Sequence, residues 1–393
     1  MKLACVVHRF GPDIAGGSEG HCRAVAERLA ERHDVTILTS CARDHVTWRN
    51  EYPPGSSTLG RLQLIRFPSV RQRSAARFAA ISSTVFAARA PKAEQEQWFR
   101  ENGPEVPALV ARLRERGAEF DLILFWAYRY YHAFFGLPPV ARRAILVPTA
   151  EDDPTIRLDV LARFFELPAG FVFMTHEERE LVASYIERPL APSCTIGCGL
   201  DPAPANREPA ARLEAIGVTT PFVLYLGRVD PNKGCETLIR HMQQFHAEAP
   251  SALRRVPLVL AGPAGMPLPD HPLIVRTGMV SDDMRELLLA HAAVLVVPSL
   301  FESLSMVLLE AWNHGVPALV NAHCAVLKGQ VLRADGGLYY RDAAEFARGL
   351  TALLEQPGVA AQLGSQGRAH VDREYRWPRV MNTLEGFLSS LAS

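Results

Sequence analysis

The chain has 393 residues, of which 48% are hydrophobic and 21% charged, so it can bury substantial cores and is not disordered. Its length predicts two or three domains. Its 42 Lys and Arg residues balance its 42 Asp and Glu residues, which argues against a nucleic-acid binder driven by bulk charge.

The first half of the chain alternates apolar runs with amphipathic segments. The apolar runs predict six strands, at 3–8, 34–39, 61–67, 121–126, 144–148 and 170–174. Apolar residues at helical spacing predict four helices, at 18–32, 71–90, 104–116 and 177–186. The polar stretch 41–55 is predicted to be a long loop that could shape an acceptor site. This alternation of strands and helices predicts a parallel sheet with helices on both faces.

A proline-rich stretch at 200–217 interrupts the pattern and is predicted to be a linker. After it the alternation restarts. Strands are predicted at 222–227, 257–262, 273–278, 293–298 and 317–321. Helices are predicted at 233–248, 281–291 and 304–314, and throughout the tail from 342 onward. We therefore predict two doubly wound domains, 1–200 and 201–375, with a ligand bound in the cleft between them.

Two glutamates frame the segment that follows the strand at 293–298. If the intervening residues are helical, ~12 Å along the axis separates Glu302 from Glu310, roughly the span from a hexose to a ribose across a diphosphate. The first-turn amides would favour a phosphate; they belong to Leu304, Ser305, Met306 and Val307. Alternatively, Glu302 caps a helix and Glu310 lies on a solvated face. Against that alternative, Glu310 lies in an apolar run, where an unpaired carboxylate is costly to bury and ribose hydroxyls are good partners.

Two cations follow the strand that ends at Gly227. Arg228 and Lys233 lie five residues apart around the turn DPNKG, ahead of a helix. Two cations of different reach suit a diphosphate leaving group. The alternative is a surface turn with two solvated cations.

The first loop, GPDIAGGSEGH, lies between a strand and a helix start and contains the pair Gly16 and Gly17. Glycines in such a loop let the backbone approach a phosphate. The pair could also serve only to make the turn. No GxGxxG motif is present, which argues against a dinucleotide site.

Together, VLYLGRVDPNKGCETLI and VPSLFESLSMVLLEAWNHGVP strongly resemble the retaining GT-B glycosyltransferases of family 4, and GGSEGH fits the same family. The resemblance covers nearly the whole chain. It implies an α/β fold of the GT-B type, with two Rossmann-like doubly wound domains facing across a cleft. It also implies that a C-terminal helix, 376–393, returns to the first domain.

The resemblance assigns roles to residues that match the family's motifs. Arg228 and Lys233 would bind the donor diphosphate. Glu302 would touch the donor sugar, and Glu310 would hold the ribose. The base would pack near Gly278, Met279 and Val280. The remaining candidates for donor binding are Gly16, Gly17, Gly227 and the segment Ser303, Leu304, Ser305, Met306 and Val307.

Two positions depart from the family pattern. Glu151, in the segment VPTAEDDP, stands where many relatives carry a His that contacts the donor hexose. With Asp152 and Asp153 it could form a solvated loop, bind sugar hydroxyls or act as a base toward an acceptor hydroxyl. Ser305 stands where relatives usually have Gly, and its small side chain still allows close backbone approach.

Aromatic and basic segments of the first half supply further candidates. In FWAYRYYHAFF we predict core positions for Phe125, Phe134 and Phe135, while Tyr128, Tyr130 or His132 could face the cleft. The helix at 71–90 carries Arg71, Arg73 and Arg77 near one end, with Phe78, Ile81 and Val85 at helical spacing. It could contact a membrane surface or an acceptor, but an ordinary packed helix with solvated arginines is favoured.

These features together predict a hexosyltransferase. It would take the sugar from a UDP- or GDP-sugar, with retention of configuration as the resemblance implies, and pass it to a saccharide or lipid-linked acceptor. The most common setting for similar chains is polysaccharide assembly. Because Arg228, Lys233 and the helix start would neutralise the leaving group, we expect neither a metal nor another cofactor to be required.

The alternatives are a sugar-nucleotide epimerase of the same fold and a non-catalytic nucleotide-sugar binder. Nothing supports phosphorolysis, which would need a pyridoxal lysine. The seven cysteines lack zinc-ligand spacing, and neither a signal peptide nor a spanning segment is recognisable. We predict a cytoplasmic protein with reduced, mostly buried thiols and no nucleic-acid partner; peripheral membrane contact and oligomeric state stay open.

Overall fold

The computed structural model describes residues 1–14, 16–87, 90–204 and 209–392. The chain forms two compact units: Met1–Cys198 together with Pro378–Ser393, and Gly199–Trp377. Parts of three predictions lie outside the described residues: residues 88–89 of the helix predicted at 71–90, residues 205–208 of the predicted linker, and residue 393 of the predicted closing helix.

An eight-stranded sheet forms the centre of the first unit. The strand order is β3-β4-β2-β1-β5-β6-β7-β8, and every neighbouring pair is parallel except β3 with β4. Strands such as LILFW are buried along their whole length, as expected for parallel strands covered on both faces. The strands are β1 (Lys2–Val7), β2 (Asp34–Ser40), β3 (Gly55–Leu59), β4 (Leu62–Phe67), β5 (Leu122–Trp126), β6 (Ala144–Val147), β7 (Gly170–Phe173) and β8 (Ser193–Thr195).

Among the described residues, seven α-helices of the first unit lie between Gly17 and Ala183. They are α1 (Gly17–Leu29), α2 (Ala75–Ala87), α3 (Lys92–Asn102), α4 (Pro107–Arg116), α5 (Tyr131–Gly136), α6 (Asp159–Phe164) and α7 (His176–Ala183).

The second unit contains a six-stranded parallel sheet in the order β11-β10-β9-β12-β13-β14. Its strands are β9 (Val223–Leu226), β10 (Leu258–Ala261), β11 (Ile274–Gly278), β12 (Val294–Val297), β13 (Ala318–Asn321) and β14 (Gly337–Tyr340). Its helices are α8 (Ala211–Glu214), α9 (Cys235–Glu248), α10 (Asp282–His291), α11 (Met306–Asn313), α12 (Ala325–Ala334), α13 (Ala343–Glu355) and α14 (Pro357–Glu374).

The last helix, α15 (Trp377–Ala392), belongs almost entirely to the first unit. Its residues Leu384 and Leu388 are fully buried. Gly170, at the start of β7, leaves room for the side chain of Leu391. Glu385 also pairs with Arg32, at 2.9 Å.

The strands and helices differ from the predicted ones in a few places. Among the described residues, three strands were not predicted, namely β3, β8 and β14, and neither were five helices, namely α3, α5, α6, α8 and α12; α8 lies within the predicted linker 200–217. The predicted loop 41–55 ends where β3 begins, because Gly55 opens an exposed edge strand antiparallel to β4. The tail from 342 onward is helical, as predicted, with short breaks between α13, α14 and α15.

Candidate active site

A row of glycines marks the carboxyl edge of the second unit's sheet. Gly227, Gly262 and Gly278 follow or end three adjacent strands, and all three have positive φ. The N–H of Gly227 donates to Ala261 O at 2.9 Å, and that of Gly262 to Gly278 O at 2.9 Å. A Cβ at Gly262 would overlap the Gly227 carbonyl. The three strand ends thus lie close together, and their glycines leave the backbone at this edge uncovered by side chains. Parallel α/β sheets bind ligands at this edge.

Arg228 and Lys233 lie on the turn that follows β9. Asp230 caps this turn by accepting the N–H of Asn232 at 2.9 Å. Arg228 Nε lies 3.2 Å from Asp230 Oδ2, and its side chain is half exposed. Arg228 is therefore held within its own turn, while Lys233 is directed toward the segment after β12.

The structure brings Lys233 and Glu302 together. Lys233 Nζ lies 2.9 Å from Glu302 Oε1, although the residues are 69 positions apart in the chain. Both side chains are partly covered, with 32% and 14% of their surfaces exposed. Two residues predicted from separate motifs thus form one ion pair at the carboxyl edge of the sheet.

Helix α11 begins two residues later than predicted. Ser305 is its N-cap residue, and the Ser305 N–H donates to Gln330 Oε1 at 3.1 Å. The prediction of a free first-turn amide is therefore wrong for Ser305, and Leu304 precedes the helix. Met306 and Val307 do lie in the first turn, where helical N–H groups lack intrahelical acceptors.

The segment between β12 and α11 is irregular. Glu302 and Ser303 lie in it, so the helical spacing predicted from Glu302 to Glu310 is wrong. The two glutamates are instead separated by an extended entry followed by about one helical turn.

Glu310 is buried in α11, with 9% of its surface exposed. Its Oε1 forms an ion pair with the guanidinium of Arg285 on α10. Burial raises the pKa of Glu310, and Arg285 opposes that shift. The expectation that this carboxylate needs a partner is met at Oε1 by an arginine that the sequence motifs did not single out.

The loop predicted to pack against the base follows β11. Gly278 lines a pocket of about 180 Å³ together with Gly262 and Arg276. Met279 is 74% exposed and does not line this pocket, and neither does the half-buried Val280. Contact of these two side chains with a base stays a prediction.

In the first unit, the opening glycine pair lies beside a buried ionic cluster. A Cβ on Gly16 would overlap the carboxylate of Glu19, whereas Gly17 has no neighbouring atom within 4 Å of such a position. His8 Nε2 lies 2.8 Å from Glu19 Oε1, and Arg9 Nε donates to the same oxygen at 2.9 Å. Gly16 therefore makes room for Glu19; an approach of either glycine to a donor stays a prediction.

The charges around Glu19 keep it ionised. Burial raises its pKa, but the adjacent His8 and Arg9 more than offset this, and the pKa of Glu19 lies well below its ordinary value. Glu19 was visible in the sequence as the acid of GGSEGH, but its buried partners come from the end of β1, which spacing along the chain does not reveal.

The acidic segment 151–153 is held by arginines. Arg129 Nη2 lies 2.6 Å from Asp153 Oδ2 and 3.5 Å from Glu151 Oε2. Asp152 is exposed and pairs with Arg157 at 2.6 Å. Glu151 and Asp153 are thus paired with Arg129, while Asp152 lies at the surface, and roles of Glu151 and Asp152 toward a sugar or acceptor stay predictions.

Glu178 fixes the backbone just before this segment. It is fully buried and accepts the N–H groups of Ala150 and Met174, each at 2.6 Å. Burial raises the pKa of Glu178 to about 8. A buried carboxyl group, missed at the sequence level, therefore anchors the start of the acidic loop.

Tyr128 and His132 do not face a ligand site. Both are fully buried. His132 Nε2 lies 2.7 Å from the carbonyl oxygen of Trp126, and burial lowers the pKa of His132 to about 3, so the imidazole is neutral. The prediction of ligand contact is wrong for these two side chains, because the turn after β5 directs them into the core.

Tyr130 is the half-buried member of the aromatic segment. Its ring stacks on His8 with the centroids 4.0 Å apart. The predicted core role of Phe125 is confirmed, and Phe134 and Phe135 pack partly buried against the same core.

Helix α2 begins at Ala75, so Arg77 lies on it, whereas Arg71 and Arg73 lie in the segment that precedes it. Arg71 pairs with Glu101 at 2.7 Å and with Glu105 at 2.6 Å, while Arg77 lies 3.7 Å from Glu101. Val85 is buried. In the part of the chain that the structure describes, none of the helices is both long enough and apolar enough to cross a bilayer. Peripheral membrane contact stays a prediction.

All seven cysteines are free thiols, and six of them are buried, as predicted. Among the described residues, no group of three or more His, Cys, Asp or Glu side chains is arranged to hold a metal ion. Whether the protein needs a metal stays a prediction.

Comparisons with known sequences point to one family. Residues 220–356 match the family model described as "Glycosyl transferases group 1". A D-inositol 3-phosphate glycosyltransferase of Salinispora arenicola is 26% identical over 96% of this chain and 88% of its own length. Another, from Streptomyces bingchenggensis, is 30% identical, but the match spans only 45% of this chain and 42% of that relative.

Solved structures share the fold across the whole chain. The sucrose-phosphate synthase of Thermosynechococcus elongatus matches with a TM-score of 0.72 at 18% identity, covering 100% of this chain and 99% of that one. The Anabaena protein HepE, solved in complex with UDP and glucose, matches with a TM-score of 0.69 at 16% identity, covering 99% and 100%. Residues 220–356 thus match a glycosyltransferase family model, and the chain shares with these solved structures a fold built of two Rossmann-like units.

Proposed function

We propose that the protein transfers a hexosyl group from a nucleoside-diphosphate sugar to an acceptor hydroxyl, with retention of configuration. The observation that carries the proposal is the ion pair of Lys233 with Glu302 at the carboxyl edge of the second sheet. A lysine and a carboxylate side by side offer a diphosphate its counter-charge and a sugar its hydrogen-bond acceptor. The names of relatives and structural neighbours support the same class of reaction.

The leaving group would be stabilised by charges of this chain alone. As the glycosidic bond to the donor breaks, negative charge grows on the diphosphate. Lys233 and Arg228 would neutralise it, together with the first-turn amides of α11. These groups are fixed by the turn after β9 and by the helix start, so little reorganisation is required during the reaction.

Glu302 would exchange partners when the donor binds. In the structure it pairs with Lys233. A diphosphate competes for the lysine, and the released carboxylate becomes free to accept hydroxyl groups of the donor sugar. The same exchange would couple binding of the diphosphate to orientation of the sugar.

Donor binding is tested first. Thermal-shift and calorimetric titrations with UDP, GDP and ADP, followed by their glucose and mannose conjugates, should identify one diphosphate that stabilises the protein. UDP heads the panel because a structural neighbour was solved with it. The proposal would be abandoned if no nucleoside diphosphate bound and no sugar nucleotide was consumed.

Transfer is tested with the donor so identified and a panel of saccharide and polyprenol-linked acceptors. A glycoside product with the donor's anomeric configuration supports the proposal. Isomerised donor without acceptor would indicate an epimerase, and tight binding without any product a non-catalytic binder. Lys233→Ala should slow turnover, whereas Arg348→Ala, on the exposed surface of α13, should not.

A further inference from the structure

The carboxylate of Glu310 is held at one oxygen only. Arg285, on α10, pairs with its Oε1. Its Oε2 is buried and has no hydrogen-bond partner among the described residues. An ionised carboxylate can accept several hydrogen bonds, and buried acceptors are normally satisfied. The unused oxygen therefore points to a hydroxyl or amide donor that comes from a ligand.

Arg285 fixes which oxygen stays unused. Its guanidinium is planar and rigid, and its side chain is one-third exposed beside the nearly buried Glu310. By holding Oε1, it sets the rotation of the carboxylate and hence the position of Oε2. A residue on a neighbouring helix thus determines the geometry of an acceptor that it leaves free.

The place of α10 in the chain links this pair to a nucleoside. The helix starts directly after the loop Gly278–Met279–Val280 and is capped by Ser281, whose side chain accepts the Met284 N–H. Base and ribose are covalently joined, so a base held by this loop, as expected under the proposed function, would place its ribose near the start of α10. Arg285 lies on the second turn of that helix.

We propose that Arg285 is a positioning residue for nucleotide recognition, holding Glu310 so that one carboxylate oxygen accepts the ribose hydroxyls. This inference rests on the proposed function, because it assumes that the second unit binds a nucleoside diphosphate. Arg285 itself does not need to touch the nucleotide.

The charges around Glu310 give the proposal a second consequence. From α10, Asp282 and Glu286 are negative and Arg285 is positive; His314, the C-cap residue of α11, pairs with Glu286 at 2.8 Å. Burial raises the pKa of Glu310, Arg285 lowers it, and the two acids raise it further. Replacing Arg285 by a neutral residue should therefore favour the protonated carboxyl group, a weaker acceptor for hydroxyls.

The test compares ribose with dideoxyribose. Affinities of UDP and GDP, and of their 2′,3′-dideoxy counterparts, are measured by calorimetry for the wild type, Arg285→Gln, Arg285→Lys and Glu310→Gln, with Arg348→Gln as the control. We expect the wild type and the control to prefer the ribose form about tenfold, the value of one charged hydrogen bond. Glu310→Gln and Arg285→Gln should both reduce this preference to about twofold at pH 6.5.

Restoring the negative charge of Glu310 by raising the pH, or the positive charge at position 285 by a lysine, distinguishes a positioning role of Arg285 from a purely structural one. In Arg285→Gln, the preference should increase with rising pH, because a higher pH favours the ionised carboxylate that accepts hydroxyl groups. Arg285→Lys should keep most of the preference as the pH changes. Melting temperatures measured alongside reveal any general destabilisation, and if Arg285→Gln does not fold, Arg285→Lys and Glu310→Gln still provide the comparison.

Each outcome distinguishes this inference from the proposed function. If neither diphosphate binds the wild type, the proposed function fails and this inference fails with it. If a diphosphate binds but the ribose preference is absent, or is unchanged in Arg285→Gln and equal at every pH, the inference alone is overturned. The pair would then serve only to join α10 to α11.

Discussion

Lys233 Nζ and Glu302 Oε1 lie 2.9 Å apart, so the cation proposed for the diphosphate is engaged by the carboxylate proposed for the sugar. Each group is partly covered, which strengthens their attraction relative to a fully exposed pair. A donor that binds as proposed would compete with this ion pair to reach either residue. Breaking the pair would weaken the binding of a bare diphosphate, whereas a complete sugar nucleotide would also supply hydroxyl groups to the released Glu302 carboxylate.

Removing the charge of Glu302 should raise the affinity for the diphosphate and lower the rate of transfer. In Glu302→Gln, Lys233 loses its anionic competitor, so the affinity for free UDP or GDP should rise by about three- to tenfold. Transfer should fall by about a hundredfold or more, because the sugar loses its charged acceptor. Calorimetry and initial rates measure the two effects. Glu236→Gln, on the exposed face of α9, is the matched control. A weaker affinity in Glu302→Gln would contradict the exchange.

Lys233→Ala should weaken diphosphate binding by about tenfold or more and flatten its dependence on salt, because one charged contact to the phosphates is lost. Arg228→Ala should have a smaller effect, since Arg228 is half exposed and pairs within its own turn with Asp230. Dissociation constants at low and moderate ionic strength provide the comparison. Equal losses in the two variants would show that the Lys233–Glu302 geometry does not decide the affinity.

The strands that hold the candidate site could be predicted because each is a short apolar run followed by a turn. Strand β3 could not, since Gly55–Leu59 is polar and exposed and gains its structure only by pairing with β4 at the sheet edge. Helix α11 begins late because the Ser305 amide is satisfied by Gln330, a residue of α12 far along the chain. Such tertiary partners leave no signal in local periodicity.

The residues of the candidate site likewise divide into those that sequence motifs predicted and those that depend on tertiary contacts. The motifs around Lys233 and Glu302 predicted that both residues bear on one ligand, and the structure pairs them directly. The partner of Glu310 was not predictable, because Arg285 occupies an ordinary helical position that says nothing about which neighbouring helix it faces. Tyr128 and His132 show the opposite error: aromatic and polar residue types suggested a binding surface, but the turn after β5 buries them.

Gly234 ends the turn that carries Lys233 and should be intolerant of a side chain. Its φ is +75°, and a Cβ would overlap the carbonyl oxygen of Pro298. Gly234→Ala should therefore lower the free energy of unfolding by about 3 kcal/mol, adding a backbone clash to the strain of left-handed φ. Gly217 has nearly the same φ, +77°, but nothing within 4 Å of such a Cβ, so Gly217→Ala should cost only about 1 kcal/mol.

Urea denaturation of Gly234→Ala and Gly217→Ala measures their free energies of unfolding. The difference between them separates the cost of the overlap with Pro298 from the cost of the left-handed backbone conformation. Gly234→Ala should also weaken diphosphate binding, because relief of the overlap shifts the backbone next to Lys233. Similar stabilities for both variants would mean that the contact with Pro298 yields without cost.

Glu19 should stabilise the first unit at neutral pH and lose that effect in acid. It is buried against His8 and Arg9, and its pKa in the folded protein lies well below the ordinary carboxyl value. A group with a depressed folded pKa contributes stability above its unfolded pKa of about 4.3, and the contribution declines as the pH falls below that value. At pH 7, Glu19→Gln should lower the free energy of unfolding by about 3 kcal/mol, because it leaves a buried arginine without its counter-charge.

Denaturant titrations at pH 7, 5 and 3.5 test the direction in which the stabilisation by Glu19 changes with pH. The difference between the wild type and Glu19→Gln should be the same at pH 7 and 5 and smaller at pH 3.5, where the unfolded state takes up a proton that the folded state resists. Glu27→Gln lies on the same helix, in a solvent-exposed pair with Arg23, and should change the stability by less than about 0.5 kcal/mol at any of these pH values. A difference for Glu19→Gln that grew on acidification would show that the folded carboxyl group is protonated more readily than the unfolded one, and the buried cluster could not then be ionic.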